Sequence, residues 1–224
     1  MFKPEKMILT AGPSVTDLEV RYIMDAVKNG WNENWSDYIR QFESEFAEII
    51  GSKYAITTSS CTGAMHLSLL ALDVGPGDEV ILPDLTWVAT AHAVKYTGAN
   101  PVFIDVDKDT WTMDPEKILP AITDKTRAIM PVHLYGHPCD MERIMNIAHE
   151  YQLGVVEDAA PAIGANQNGR CAGTFGDLGV LSFQGAKMIV TGEGGMITSD
   201  NKDLINSITK IGDHGRAPKL GNPF

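Results

Sequence analysis

A lysine set among small and apolar residues can act as a nucleophile. In the run Leu181-Ser182-Phe183-Gln184-Gly185-Ala186-Lys187-Met188-Ile189-Val190-Thr191-Gly192-Glu193-Gly194-Gly195, an apolar strand meets Lys187 and closes on three glycines around a glutamate. Burying a charged amine without a partner is costly. A lysine in such surroundings tends to lose its proton, and a neutral amine attacks aldehydes. The glycines permit tight turns and close approach to a ligand. Read alone, the stretch fits a solvated lysine on a surface loop equally well.

Ligands of open α/β sheets sit beyond the carboxyl ends of the strands, so residues that directly follow strands carry the most information. Ser59-Ser60-Cys61-Thr62-Gly63 joins a strand to a helix N-terminus. Free backbone N–H groups and a hydroxyl there hold a phosphate; the other reading is an ordinary N-cap. Trp87 follows the strand ending at Pro83 and offers a face for a flat ring, or else fills a core. Glu157-Asp158-Ala159-Ala160 ends a very apolar strand with two carboxylates. An acid at that depth needs a cation or hydrogen-bond donors, and a protonated ring nitrogen would serve; a cap for the next helix is the alternative. Ser182 lies just before Lys187. Taken together, these residues supply a phosphate grip, a stacking face, an acid for a ring nitrogen and an amine for an aldehyde, the set of contacts that pyridoxal phosphate requires.

The elements that must position these residues alternate. Apolar spacing predicts helices over 16–29, 38–50, 62–72, 86–96, 115–121, 141–151 and from 202 to about 211. Seven strands are predicted at 54–58, 79–82, 101–105, 128–132, 154–157, 178–183 and 196–199. Most are short continuous apolar runs such as Val80-Ile81-Leu82, which suit a mostly parallel sheet covered by helices on both faces. The expected fold is therefore a three-layer αβα domain around a mostly parallel seven-stranded sheet. Residues 1–36 are expected to form an N-terminal helix and loop arm, and 37–212 the α/β domain. Residues 213–224 read as the start of a connection, so the chain is expected to be a domain with its continuation missing.

Composition narrows the function classes. With 224 residues, 44% hydrophobic and 21% charged, the chain can bury a full core. A formal net charge of −11 argues against nucleic acid and anionic membranes as partners. There is no apolar run of membrane-spanning length and no signal-peptide core in 1–10. Three cysteines, Cys61, Cys139 and Cys171, lack regular spacing and read as reduced thiols of a cytoplasmic protein. His133, His137 and Cys139 are interrupted by Gly136 and Pro138 and lack a fourth ligand, so no metal site is expected. Gly173–Gly179 does not match the dinucleotide fingerprint and precedes its strand.

The chain resembles the major domain of the DegT-type family of pyridoxal phosphate-dependent nucleotide-sugar aminotransferases, and within it the perosamine synthase-like members. The resemblance rests on Cys61-Thr62-Gly63-Ala64-Met65-His66-Leu67, Gly77-Asp78-Glu79-Val80-Ile81-Leu82-Pro83 with Thr86-Trp87, Pro131 to Gly136, Glu157 to Ala160, and Ser182-Phe183 through Lys187 to Gly195. It implies the fold type I major domain and a homodimer whose sites lie between subunits. It also implies an amino-acid donor, by analogy glutamate, and a keto-sugar acceptor linked to a nucleotide. By that resemblance Lys187 binds the cofactor's aldehyde covalently and Asp158 pairs with its ring nitrogen. Trp87 stacks on the ring, and Thr62, Gly63 and Ser182 hold the phosphate. Two substitutions depart from the family pattern: Cys61 stands where glycine is usual, and Pro161 where a side chain commonly reaches the cofactor's hydroxyl. In addition, family chains continue past the position of Phe224 into a smaller domain.

Two rival readings follow. One is an elimination on the same scaffold, although the family's dehydratase branch carries histidine where this chain has Lys187. The other is a non-catalytic cofactor- or sugar-binding module, or a truncated fragment of such an enzyme, for which the missing continuation is the support.

Overall fold

The computed structural model describes residues 14–215. The first part of the expected arm, 1–13, and most of the expected connection, 216–224, lie outside the described residues. Helix α1, Asp17–Asn29, starts in a capping box: Thr16 accepts from the first turn while Glu19 reaches back to the Thr16 N–H. None of its side chains is buried. A single 3-10 turn, Asn32–Asn34, leads into α2, Asp37–Ile50, which buries Phe46, Ala47 and Ile50. Gly51 ends α2 in a left-handed conformation with φ 81°, where glycine avoids the Cβ penalty.

The sheet elements then follow in turn: β1 Tyr54–Thr58, α3 Cys61–Ala71, β2 Glu79–Pro83, α4 Ala89–Tyr96, β3 Asn100–Ile104, α5 Ile118–Ala121, β4 Thr126–Ile129, α6 Met141–Tyr151, β5 Gly154–Asp158, the small hairpin β6 Asn166–Gln167 and β7 Arg170–Cys171, β8 Leu178–Ser182, β9 Gly195–Ser199, and α7 Lys202–Gly212. The seven-stranded sheet has the order β1-β9-β8-β5-β4-β2-β3. β9 is antiparallel to both of its neighbours, and the remaining pairs are parallel.

Period-2 alternation divides the core. Val80 and Leu82 of β2, Val156 of β5 and Val180 of β8 pack under α3, α4 and α7. Ile81, Ile129 and Val155 face the opposite side, under α5 and α6. Leu181, Phe183 and Met196 meet Phe46 and Ile50 of α2 on a third patch, where Phe42, Phe46 and Phe183 form a triangle of ring contacts. Each fully buried side chain of this size contributes about 1.5–3 kcal/mol. This is the expected three-layer arrangement.

The structure differs from the sequence expectation in four local places. The helix expected from 86 begins at Ala89, because 84–88 bend to carry Trp87 outward. The helix expected over 115–121 splits into a 3-10 turn, Pro115–Lys117, and one α turn. The strand expected over 128–132 forms as 126–129; Pro131 has no N–H to donate, and the ladder continues only as an isolated Val132–Asp158 bridge. The β6–β7 hairpin was not expected. Its turn residues Asn168 and Gly169 both take positive φ, 53° and 82°, the Asn-Gly signature of a tight hairpin turn.

Candidate active site

The parallel strands deliver β1, β2, β5 and β8 to one edge of the sheet by their carboxyl ends. Because β9 runs the other way, its first residue lies there too: Gly195 pairs with Thr58 of β1 on one side and Ser182 of β8 on the other. This edge gathers the residues singled out by the sequence.

At β1, Ser60 caps α3 by accepting from the Gly63 N–H at 3.1 Å. The N-cap reading of this turn is thus correct, and it leaves the Cys61 and Thr62 N–H groups without a partner among the described residues. Those two groups sit at the positive end of an eleven-residue helix. Cys61 is an ordinary first helical residue and does not take positive φ, so the turn does not require the family's usual glycine. The residue that must be glycine is Gly195. A Cβ there would lie 2.7 Å from Cys61 N, Ser60 C and Thr58 Oγ1, so β9 approaches the cradle as closely as a bare backbone allows.

Asp158 ends β5 and is only 4% exposed. Its Oδ2 accepts from the Thr90 hydroxyl at 2.8 Å and its Oδ1 from the Ala160 N–H at 3.2 Å. No cationic side chain pairs with it among the described residues. No α-helix follows it, which removes the helix-cap alternative. Burial raises its pKa above the usual carboxylate range; Thr90, the Ala160 N–H and Lys187 each pull it partway back. Lys187 is half-buried in the bend after β8, its N–H donating to Gln184 O at 2.8 Å. No hydrogen bond or ion pair holds its amine among the described residues. Ser182 is buried at the end of β8. Trp87 is 80% exposed, which excludes the core-aromatic reading and leaves a free indole face beside the strand ends. Cys61 is no rival nucleophile, since burial pushes its thiol well up.

Sequence reasoning missed Thr90, just described, and the role of His133, which belongs to a buried network. Its Nε2 faces Glu157 Oε2 at 2.9 Å, and its Nδ1 accepts from the Cys139 N–H at 3.0 Å. Burial disfavours a charged ring while Cys139 and Glu157 favour it, with a balance at about 10. A second ring proton, however, would have to sit on Nδ1, where the Cys139 N–H already points. We therefore assign the neutral ring with its proton on Nε2. The Gly173 and Gly176 N–H groups complete the shell of Glu157, at 2.8 and 2.6 Å.

The arrangement fits pyridoxal phosphate. A buried acid without a cation, an unpaired amine, an exposed indole and a helix N-terminus with open N–H groups share one edge of the sheet. Comparison with known proteins agrees. A GDP-perosamine synthase of Escherichia coli O157:H7 is 46% identical over 212 residues, covering 95% of this chain and 58% of that protein. The solved structure of an aminotransferase from Psychrobacter cryohalolentis matches with a TM-score of 0.90 at 40% identity, over 96% of this chain and 56% of its own. A GDP-4-keto-6-deoxymannose-3-dehydratase, solved with a trapped PLP-glutamate geminal diamine, matches with a TM-score of 0.84 at 34% identity, over 92% of this chain and 54% of its own. The chain thus spans a little over half the length of these relatives. The pattern of the DegT/DnrJ/EryC1/StrS aminotransferase family matches residues 13–223, and this chain belongs to that family.

Proposed function

We propose that this chain is the cofactor-binding part of a pyridoxal phosphate-dependent aminotransferase. It moves an amino group from an amino acid, L-glutamate, to a keto-sugar carried on a nucleotide, as in perosamine-type deoxyaminosugar synthesis. The observation that carries the proposal is Asp158, buried with hydrogen-bond donors but no cation, on the same edge as the unpaired Lys187 amine. Residues 37–212 would supply this domain, with 1–36 as the arm that precedes it.

Bound pyridoxal phosphate supplies an aldehyde that takes an amine and a ring that withdraws electrons. Thr62 and Ser182 would hold the phosphate, with the open Cys61 and Thr62 N–H groups and the helix dipole favouring its charge, while the N–H of Gly63, expected to share in this, is taken by Ser60. Trp87 would offer its indole face to the ring. Asp158 would balance the charge of a proton on the ring nitrogen. Lys187 Nζ would be the amine offered to the aldehyde and the base that takes a proton from the donor's Cα. Use of the same groups first on the donor and then on the keto-sugar would give ping-pong kinetics.

We place the working form as a homodimer in the cytoplasm. Leu18, Ile23, Met24 and Val27 of α1, with Trp31 and Trp35 beyond it, are exposed, an apolar surface that a second copy would cover. The cysteines are free thiols, and no helix of the described residues is long and apolar enough to cross a membrane. Sedimentation equilibrium at micromolar concentration tests the dimer; a monomer would remove it. For the function itself, borohydride reduction in the presence of pyridoxal phosphate, followed by peptide mapping, should label Lys187. A label on Lys53, Lys95 or another lysine would overturn the assignment.

A further inference from the structure

The hydroxyl of Thr90 reaches across 68 residues of sequence to Asp158, at 2.8 Å, and Thr90 is fully buried. A threonine in the first turn of a helix ordinarily bonds a carbonyl one turn back, and that option is present here: Trp87 O lies 3.2 Å from the same hydroxyl. Thr90 has a single proton to give. The shorter contact is to the acid, and an ionised acceptor makes the stronger bond. With the proton given to Asp158, the Thr86 hydroxyl, 2.9 Å away, donates to the Thr90 oxygen. A chain of two hydroxyls therefore ends on Oδ2, while the Ala160 N–H takes Oδ1.

Each carboxylate oxygen thus receives one donor from the protein, and each keeps lone-pair capacity for a ligand. The placement also links two parts of the site. Thr90 lies three residues after Trp87, and its own N–H donates to Trp87 O at 3.2 Å. The same side chain that fixes the acid is built on the turn that presents the exposed indole.

We propose that Thr90 is a positioning residue for the cofactor, its hydroxyl holding the Asp158 carboxylate in the orientation that meets the ring nitrogen. This rests on the cofactor reading given above. Thr90 touches neither ring nor substrate; it acts through Asp158. Without the hydroxyl, Oδ2 loses its donor in a buried site, the carboxylate becomes a better proton acceptor, and the shared proton moves from the ring nitrogen toward the acid.

The test uses the protein loaded with pyridoxal phosphate labelled with 15N in its ring. In the parent, the nitrogen resonance should sit at the protonated position. Thr90→Val, which keeps size and removes the donor, should move it toward the unprotonated position and slow the loss of the Cα proton from glutamate about tenfold. Thr90→Ser should restore both. Thr90→Cys, a weak donor of similar size, should give an intermediate shift, and it carries the test if thermal melting shows the valine variant unfolded. An unchanged resonance and rate in Thr90→Val, or in Thr90→Cys in that event, would overturn the role of Thr90 and leave the cofactor site standing. A parent protein that gives only the signal of free pyridoxal phosphate would overturn the cofactor reading and this proposal together.

Discussion

Glu157 and Asp158 are consecutive residues of β5, and their carboxylates serve opposite faces of the sheet. Glu157 accepts from His133, Gly173 and Gly176; Asp158 accepts from Thr90 and Ala160. Strand alternation separates them. One carboxylate is fully engaged inside the protein, and the other keeps acceptor capacity at the strand ends.

Glu157 should therefore matter for stability. Glu157→Ala strands three buried N–H donors and should lower the unfolding free energy by about 3–5 kcal/mol. Glu157→Gln keeps one acceptor oxygen and should cost about 1–3 kcal/mol. Urea denaturation measures both, and an alanine variant near parental stability would show that the network does not hold β5 in place.

Asp158 should make the cofactor-free protein sensitive to pH. Its folded-state pKa is raised, first by burial. Above the ordinary carboxyl value of about 3.9, the native chain keeps a proton that the unfolded chain has released. Stability then falls as pH rises toward the raised value, and beyond it the loss is complete. Asp158→Asn carries no such proton and should be the more stable cofactor-free protein near pH 7, with the gap closing in acid. Thermal melts of both proteins across this range decide it. The same substitution should slow proton removal from glutamate by orders of magnitude.

Lys187→Ala should abolish the borohydride-trapped label while changing stability by no more than about 0.5 kcal/mol. The side chain is half-buried and its amine has no partner among the described residues. A large fall in melting temperature would mean that Lys187 serves the fold.

Gly195→Ala places a methyl group 2.7 Å from backbone atoms of Cys61 and Ser60. Backbone cannot yield as a flexible side chain does, so the cradle must shift. A stability loss of about 1–3 kcal/mol is expected, together with weaker capture of pyridoxal phosphate in equilibrium titration. Unchanged affinity would separate the cradle from the phosphate.

All seven strands of the main sheet were legible in the sequence, because most are short apolar runs between turn residues. The reversed direction of β9 was not, since Gly195–Ser199 reads the same in either sense. Lys187, Asp158, Trp87 and the Thr62 turn could be singled out because each lies at, or within five residues of, the carboxyl end of a strand. Thr90 could not, as a threonine in a helical stripe looks like any other until the helix is placed beside β5. The pair His133 and Glu157 was hidden for a related reason: 24 residues separate them, and only adjacent parallel strands bring them together. The Asn168-Gly169 turn was available as a local signal and was passed over.

The position of β1 at the sheet's edge, with β9 as its partner strand, has a consequence for biogenesis. The ribosome makes the Ser60 turn early and its partner strand late. At a synthesis rate of about 5–20 residues per second, the gap is on the order of ten seconds. Through that interval β1 presents an open edge, and the turn at Ser60 lacks the glycine strand against which it is built. On the proposed function, cofactor capture would wait until β9 has been translated, and a chaperone that shields β1 would act in that window.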